Sequence, residues 1–148
     1  MSSGERALAV VSWLVALVAL GCGGGVAASS VETTGVLDRA PRDQQVEIQH
    51  VLIGYAGREQ AAATAQRRER SAAETLILEL HRRAKSGESF EALMKVHSED
   101  AGSADGSTYT VHSESPFDPR LVYFSLRLGR HEMGIVHTAF GYHLVRRL

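Results

Sequence analysis

Hydrophobic and polar positions divide the chain into three unlike stretches. Ala7–Leu20 runs fourteen residues in which only Ser12 and Trp13 depart from Ala, Val and Leu. Gly23–Gln45 has no sustained period and is rich in small and polar residues. From Val46 onward, strand and helix periods take over. Val46–Gly54 alternates and then turns continuously apolar, which predicts a strand in the middle of a sheet. Arg58–Arg70 suits loop or helix. From Ala73 a helix is expected, with Leu76, Ile77, Leu80 and Ala84 on one face and Gly87 as its stop. Ser89 can cap a second helix that carries Phe90, Leu93, Met94 and His97 at i, i+3, i+4 and i+7. Ser98–Ser107 reads as a loop and Tyr109–Val111 as a short strand. Asp118 or Pro119 opens a short helix through Phe124. Gly134–Thr138 and Tyr142–Arg147, joined by a turn at Phe140–Gly141, form a hairpin. Strands separated by local helices and closed by a hairpin predict an α+β fold with a mainly antiparallel sheet.

Composition narrows the function classes. With 148 residues the chain holds one full-sized domain. A formal charge of −1 argues against a nucleic-acid partner, which calls for a basic surface. The single cysteine, Cys22, excludes an intrachain disulfide framework and a multi-Cys zinc module. His81, His97, His112, His131 and His137 lack the clustering of metal ligands, so no metal site and no cofactor is expected. Arg67, Arg68, Arg70, Arg82, Arg83 and Lys85 accompany the first helix and read as its solvated face.

The apolar run is too short for a membrane span of about 20 residues and fits the core of an export signal. Ala19-Leu20-Gly21-Cys22 resembles the bacterial lipobox, the tetrapeptide cut before a cysteine that is then lipidated. The expected organisation is a signal peptide over 1–21, lipidation at Cys22, a flexible tether over 22–45 and one domain over 46–148. Such a tether would hold the domain roughly 25 Å from a membrane. The expected location is therefore the bacterial envelope, with the domain in the periplasm or outside.

Five segments of 46–148 carry a family resemblance, in order. Ile48-Gln49-His50-Val51-Leu52-Ile53 is similar to the opening strand of the parvulin-type (rotamase) peptidyl-prolyl cis-trans isomerases. Gly87–Leu93 resembles that family's G-x-x-F-x-x-L helix, and Ser98–Ala104 its S-x-D-x-x-S-A loop. Phe124-Ser125-Leu126 followed by Gly129 resembles F-x-L-x-x-G. Thr138–His143 resembles the closing T-x-x-G-x-H hairpin. The resemblance implies a four-stranded, mainly antiparallel sheet with about three to four helices around it. It also implies proline-containing unfolded or extended polypeptides as partners.

Rotation about a peptide C–N bond faces a barrier of about 18–20 kcal/mol. Lowering it takes no nucleophile, only a dry slot for the proline ring, a grip on the chain and polar groups matched to the twisted amide. The resemblance assigns the paired histidines to His50 and His143, with Thr138 supporting their hydrogen bonds and Asp100 opposite them. Phe117, Leu121 and Phe124 are expected to form the apolar slot. Two departures touch that slot. Where the family has a G-G-D-L-G turn, this chain reads Asp105-Gly106-Ser107-Thr108-Tyr109, and the helix before Phe124 is about two residues short. They leave open a second reading, a parvulin-like module that grips extended peptides as a chaperone without isomerising them.

Overall fold

Residues 30–148 are described by a computed structural model. The expected signal peptide over 1–21 and the expected lipid site at Cys22 lie outside the described residues. Four strands, β1 (Gln45–Ile53), β2 (Tyr109–His112), β3 (Met133–His137) and β4 (Tyr142–Arg147), form one sheet in the order β2-β1-β4-β3. Every neighbouring pair is antiparallel. The apolar run of β1 is explained by its central place, because both of its edges are paired and both of its faces are covered.

The two faces of the sheet bury different layers, as the period of two requires. Val51, Ile53, Ile135, Tyr142 and Leu144 pack against α2 (Arg70–Lys85) and α3 (Phe90–His97). Val46, Ile48, Val136 and Val145 pack against α5 (Pro119–Ser125). In α2 the buried residues are Ala73, Ile77, Leu80 and Ala84, a stripe set among good helix formers. After it Gly87 takes φ +96°, a conformation that L side chains rarely adopt. Ser89 caps α3, its Oγ accepting from the Ala92 N–H at 3.2 Å. Asp118 caps α5 by accepting from the Arg120 N–H at 2.8 Å, and Pro119 follows in the first turn.

Two local readings need correction. The stretch Ser98–Ser107, expected as loop, contains a four-residue helix, α4 (Ala101–Ala104). Asp100 nucleates it, accepting from the Ser103 N–H at 2.8 Å, a cap strong enough to order a Gly/Ser-containing turn. The tether expected over 22–45 also ends earlier, because residues 31–42 are docked on the domain. Thr33 donates its N–H to the Ile135 carbonyl (2.8 Å) and accepts the Ile135 N–H on Oγ1 (2.9 Å), so it covers the open edge of β3. A helical turn, α1 (Thr34–Leu37), then buries Val36 completely between the sheet and α5. Arg39 pairs with Glu132, and the Arg42 N–H donates to the Leu126 carbonyl. These partners lie about 90 residues away in sequence, where no local period reports them.

Candidate active site

Strand register brings the two histidines together. His50 faces Val145 across β1 and β4, and His143 faces Leu52, so the two imidazoles are diagonal neighbours on the α5 face. Their Nδ1 atoms lie 3.0 Å apart with ring centroids at 5.1 Å. His143 Nε2 is 2.8 Å from Thr138 Oγ1, and Thr138 Oγ1 accepts the Phe140 N–H at 3.2 Å. On the other side His50 Nε2 is 3.6 Å from Asp100 Oδ2. Thr138, His143 and His50 are all buried.

One proton arrangement satisfies every member of this chain. The Thr138 hydroxyl donates to His143 Nε2, His143 Nδ1–H donates to His50 Nδ1, and His50 Nε2–H points at Asp100. This assignment follows from the hydrogen-bond network, since hydrogens are inferred from partners. It requires both rings to be neutral, and burial enforces that. Burial pushes the His50 pKa down to about 4 against an opposing pull from Asp100. His143 is held well below its ordinary value, by burial first and then by His50. The His50–Asp100 contact is therefore a dipole facing a carboxylate and not an ion pair.

Asp100 is fixed from three sides. Burial favours its neutral form, but the Tyr109 hydroxyl (2.6 Å), the Ser103 N–H (2.8 Å) and His50 outweigh burial and hold it ionised, below its ordinary pKa. Tyr109 pays the reciprocal shift: burial, then the carboxylate, push its pKa up to about 12. Its ring lies 5.2 Å from the His50 ring and meets Phe117 edge-on at 5.6 Å. Gly102 makes room for the hydroxyl, because a Cβ there would overlap it.

Above this chain opens a cleft of about 430 Å³. Leu52, Pro116, Phe117, Leu121 and Phe140 supply its apolar lining, and His50, His143, Asp100 and Tyr109 its polar side. Phe117 and Leu121 thus line the cleft. Phe124 does not: it is fully buried in the layer beneath, and a Cβ at Gly134 would stand 2.9 Å from its ring. Residues three apart share one helix face, so the difference comes from position along α5: Leu121, nearer its start, reaches the cleft, and Phe124, about 4.5 Å further along, packs into the core. Thr138 also stays behind the histidines and does not line the cleft. Sequence reading treats Tyr109 only as a strand residue and overlooks Phe140, because neither function shows until the β2 edge and the hairpin turn are folded against Asp100 and α5. Among the described residues, no group of three or more His, Cys, Asp or Glu side chains is placed to hold a metal ion.

The basic residues after β1 are occupied elsewhere. Arg68 pairs with Glu99 at 2.7 Å and donates to the Gly54 carbonyl, which ties that loop to the end of β1. Arg58 stacks over the Tyr55 ring, on the far face of the sheet.

The family model described as the PPIC-type PPIase domain matches residues 33–147. The fold is similar to that of the peptidyl-prolyl isomerase ESS1 from Candida albicans, with TM-score 0.59 and 22% identity, over 74% of this chain and 65% of that one. It is also similar to TbPIN1 (TM-score 0.61, 21% identity, 72% of this chain and 98% of that one). PrsA from Bacillus subtilis matches with TM-score 0.54 and 21% identity, over 70% of this chain and 34% of PrsA. The chain thus spans about two thirds of the Candida protein and a third of PrsA. No curated protein matches it in sequence. The family match and the antiparallel parvulin-like sheet agree, and this chain belongs to the family of PPIC-type peptidyl-prolyl isomerase domains.

Proposed function

We propose that this cleft catalyses X-Pro rotation in exported, unfolded polypeptides, with the proline ring against Phe117, Leu121 and Phe140. The observation that carries the reading is the Asp100–His50–His143–Thr138 chain beneath that apolar lining. A planar amide is more polar than a twisted one, because resonance places charge on its oxygen and nitrogen. A slot that excludes water therefore favours the twisted state relative to the planar one. As resonance is lost the carbonyl carbon gains positive character, which the carboxylate of Asp100, a cleft-lining residue, would stabilise. Tyr109 and the Ser103 N–H hold Asp100 in position, and neutral His50 faces it without neutralising its charge. No bond to carbon is made or broken, so no nucleophile or cofactor takes part.

Envelope anchoring through Cys22 belongs to the same proposal and is supported by the apolar leader and the lipobox-like tetrapeptide. Mass spectrometry of the mature protein should find an acylated Cys22 as its first residue.

The catalytic reading is tested by cis-trans exchange of a short proline peptide in the presence of the purified protein. A rate well above the uncatalysed one, lost in His50→Ala combined with His143→Ala, is expected. A background rate, or a double variant of unchanged activity, refutes it. The departure at Gly106–Thr110 favours the second reading, a gripping module. Suppressed aggregation of a proline-free client without any isomerase rate would decide for that one.

A further inference from the structure

The cleft carries negative charge that no cation in the described structure balances. Asp118 lines it, with Oδ1 accepting from the Arg120 N–H and Oδ2 from the Ala139 N–H at 3.1 Å. Both bonds come from neutral backbone donors. Asp100 lines it as well, and its neighbours are a phenol, a backbone N–H and an imidazole. Glu99 is the third carboxylate there, but Arg68 compensates it. The guanidinium groups of Arg68, Arg120 and Arg58 are engaged elsewhere: Arg68 with Glu99, Arg120 with Glu32 and the His137 carbonyl, and Arg58 with Tyr55. Among the described residues, no Lys or Arg lines the cleft.

We infer that Asp118 and Asp100 make this cleft selective for X-Pro segments with a cationic residue, Lys or Arg, next to the proline, and that they disfavour acidic or phosphorylated ones. The inference rests on the catalytic reading above and names its substrate class. An extended segment laid over Leu121 and Phe140 passes Asp118, because Asp118 begins α5 and is hydrogen-bonded to the residue before Phe140. A Lys there gains attraction to a partly water-excluded carboxylate, while Glu or phosphoserine meets repulsion. The difference combines both effects.

The test uses the full chain and four peptides, Ala-X-Pro-Phe with X = Lys, Ala, Glu or phosphoserine. Exchange is followed by NMR and binding by fluorescence anisotropy of labelled copies. At low ionic strength kcat/KM and affinity should fall in the order Lys, Ala, Glu, phosphoserine, with Lys over Glu by about fivefold to tenfold. The ratio should shrink toward unity near 1 M salt, where the Debye length is about 3 Å. Asp118→Asn keeps an α5 cap and should cut the Lys:Glu ratio at least twofold. Equal or acid-favouring order in both turnover and binding overturns the inference, as does a ratio insensitive to both salt and Asp118→Asn. Absence of turnover on every peptide defeats the catalytic reading alone, because the binding order still decides the charge preference.

Discussion

Gly102→Ala isolates the packing that holds Asp100 in place. Gly102 lies in α4, where its backbone is helical, so alanine by itself should stabilise by up to about 1 kcal/mol. The added Cβ, however, would overlap the Tyr109 hydroxyl. Ordinary C···O approach is about 3.3 Å, so the ring or α4 must move by roughly 1 Å. Such overpacking costs about 1–3 kcal/mol. The move also breaks the Tyr109–Asp100 bond, which to a charged acceptor is worth about 1.5–3 kcal/mol and is discounted here because a third of Asp100 is in contact with solvent. The net expectation is destabilisation by about 1–3 kcal/mol. Removing the hydroxyl changes the result. In a Tyr109→Phe background the nearest atom is the ring carbon at 3.2 Å, which a shift of a few tenths of an ångström accommodates. Gly102→Ala should then lie within about 1 kcal/mol of neutral, giving a coupling of about 2 kcal/mol between the two positions. Urea unfolding of the four proteins at pH 7, followed by far-ultraviolet circular dichroism, measures the cycle. A Gly102→Ala protein as stable as the parent, or an equal effect in both backgrounds, would refute the steric reasoning.

Acid should weaken the fold in a defined window. The His50 pKa falls from 6.5 to about 4 on folding, so the unfolded chain takes the proton first. The stability from neutral His50 is complete above about pH 6.5, drains toward pH 4, and is reduced by about 2 kcal/mol at pH 5; His143 acts in the same direction. The urea midpoint should drop between pH 7 and pH 5, and less so in His50→Gln; a flat midpoint contradicts the neutral pair. Asp100 acts lower, because its depressed pKa withdraws stability only as pH falls below about 3.8. Thr138→Val leaves the buried His143 Nε2 without its donor and should cost about 1–3 kcal/mol along with isomerase activity, whereas Thr138→Ser should retain both. Val36→Ala should cost about 1–3 kcal/mol in the same unfolding assay; no change would mean that residues 31–42 behave as the tether their composition suggests.

The period of two in β1, β3 and β4 was enough to place His50 and His143 within a sheet, and the stripe of α2 and the caps at Ser89 and Asp118 were enough to set its helices. Each of those signals is carried by residues within one or two turns of one another, so the sequence states it directly. Once the sheet is antiparallel, strand parity also fixes which residues share a face, and the motif order supplied the pairing of the two histidines. What the sequence left undecided depends on partners far along the chain. Thr33 reaches Ile135, Arg39 reaches Glu132, and a stretch without sustained period becomes part of the fold because an open strand edge and an apolar hole for Val36 await it. Tyr109 reaches Asp100 only because Gly102 leaves a gap between two elements. Position along α5 sends Leu121 to the cleft and Phe124 to the core, although the two share a helix face. The sequence by itself determined the elements, their faces and the residue types available for chemistry. Tertiary packing alone decided which of them touch, which protons they hold and which charges stay unbalanced, because those depend on distances between groups that no local pattern encodes.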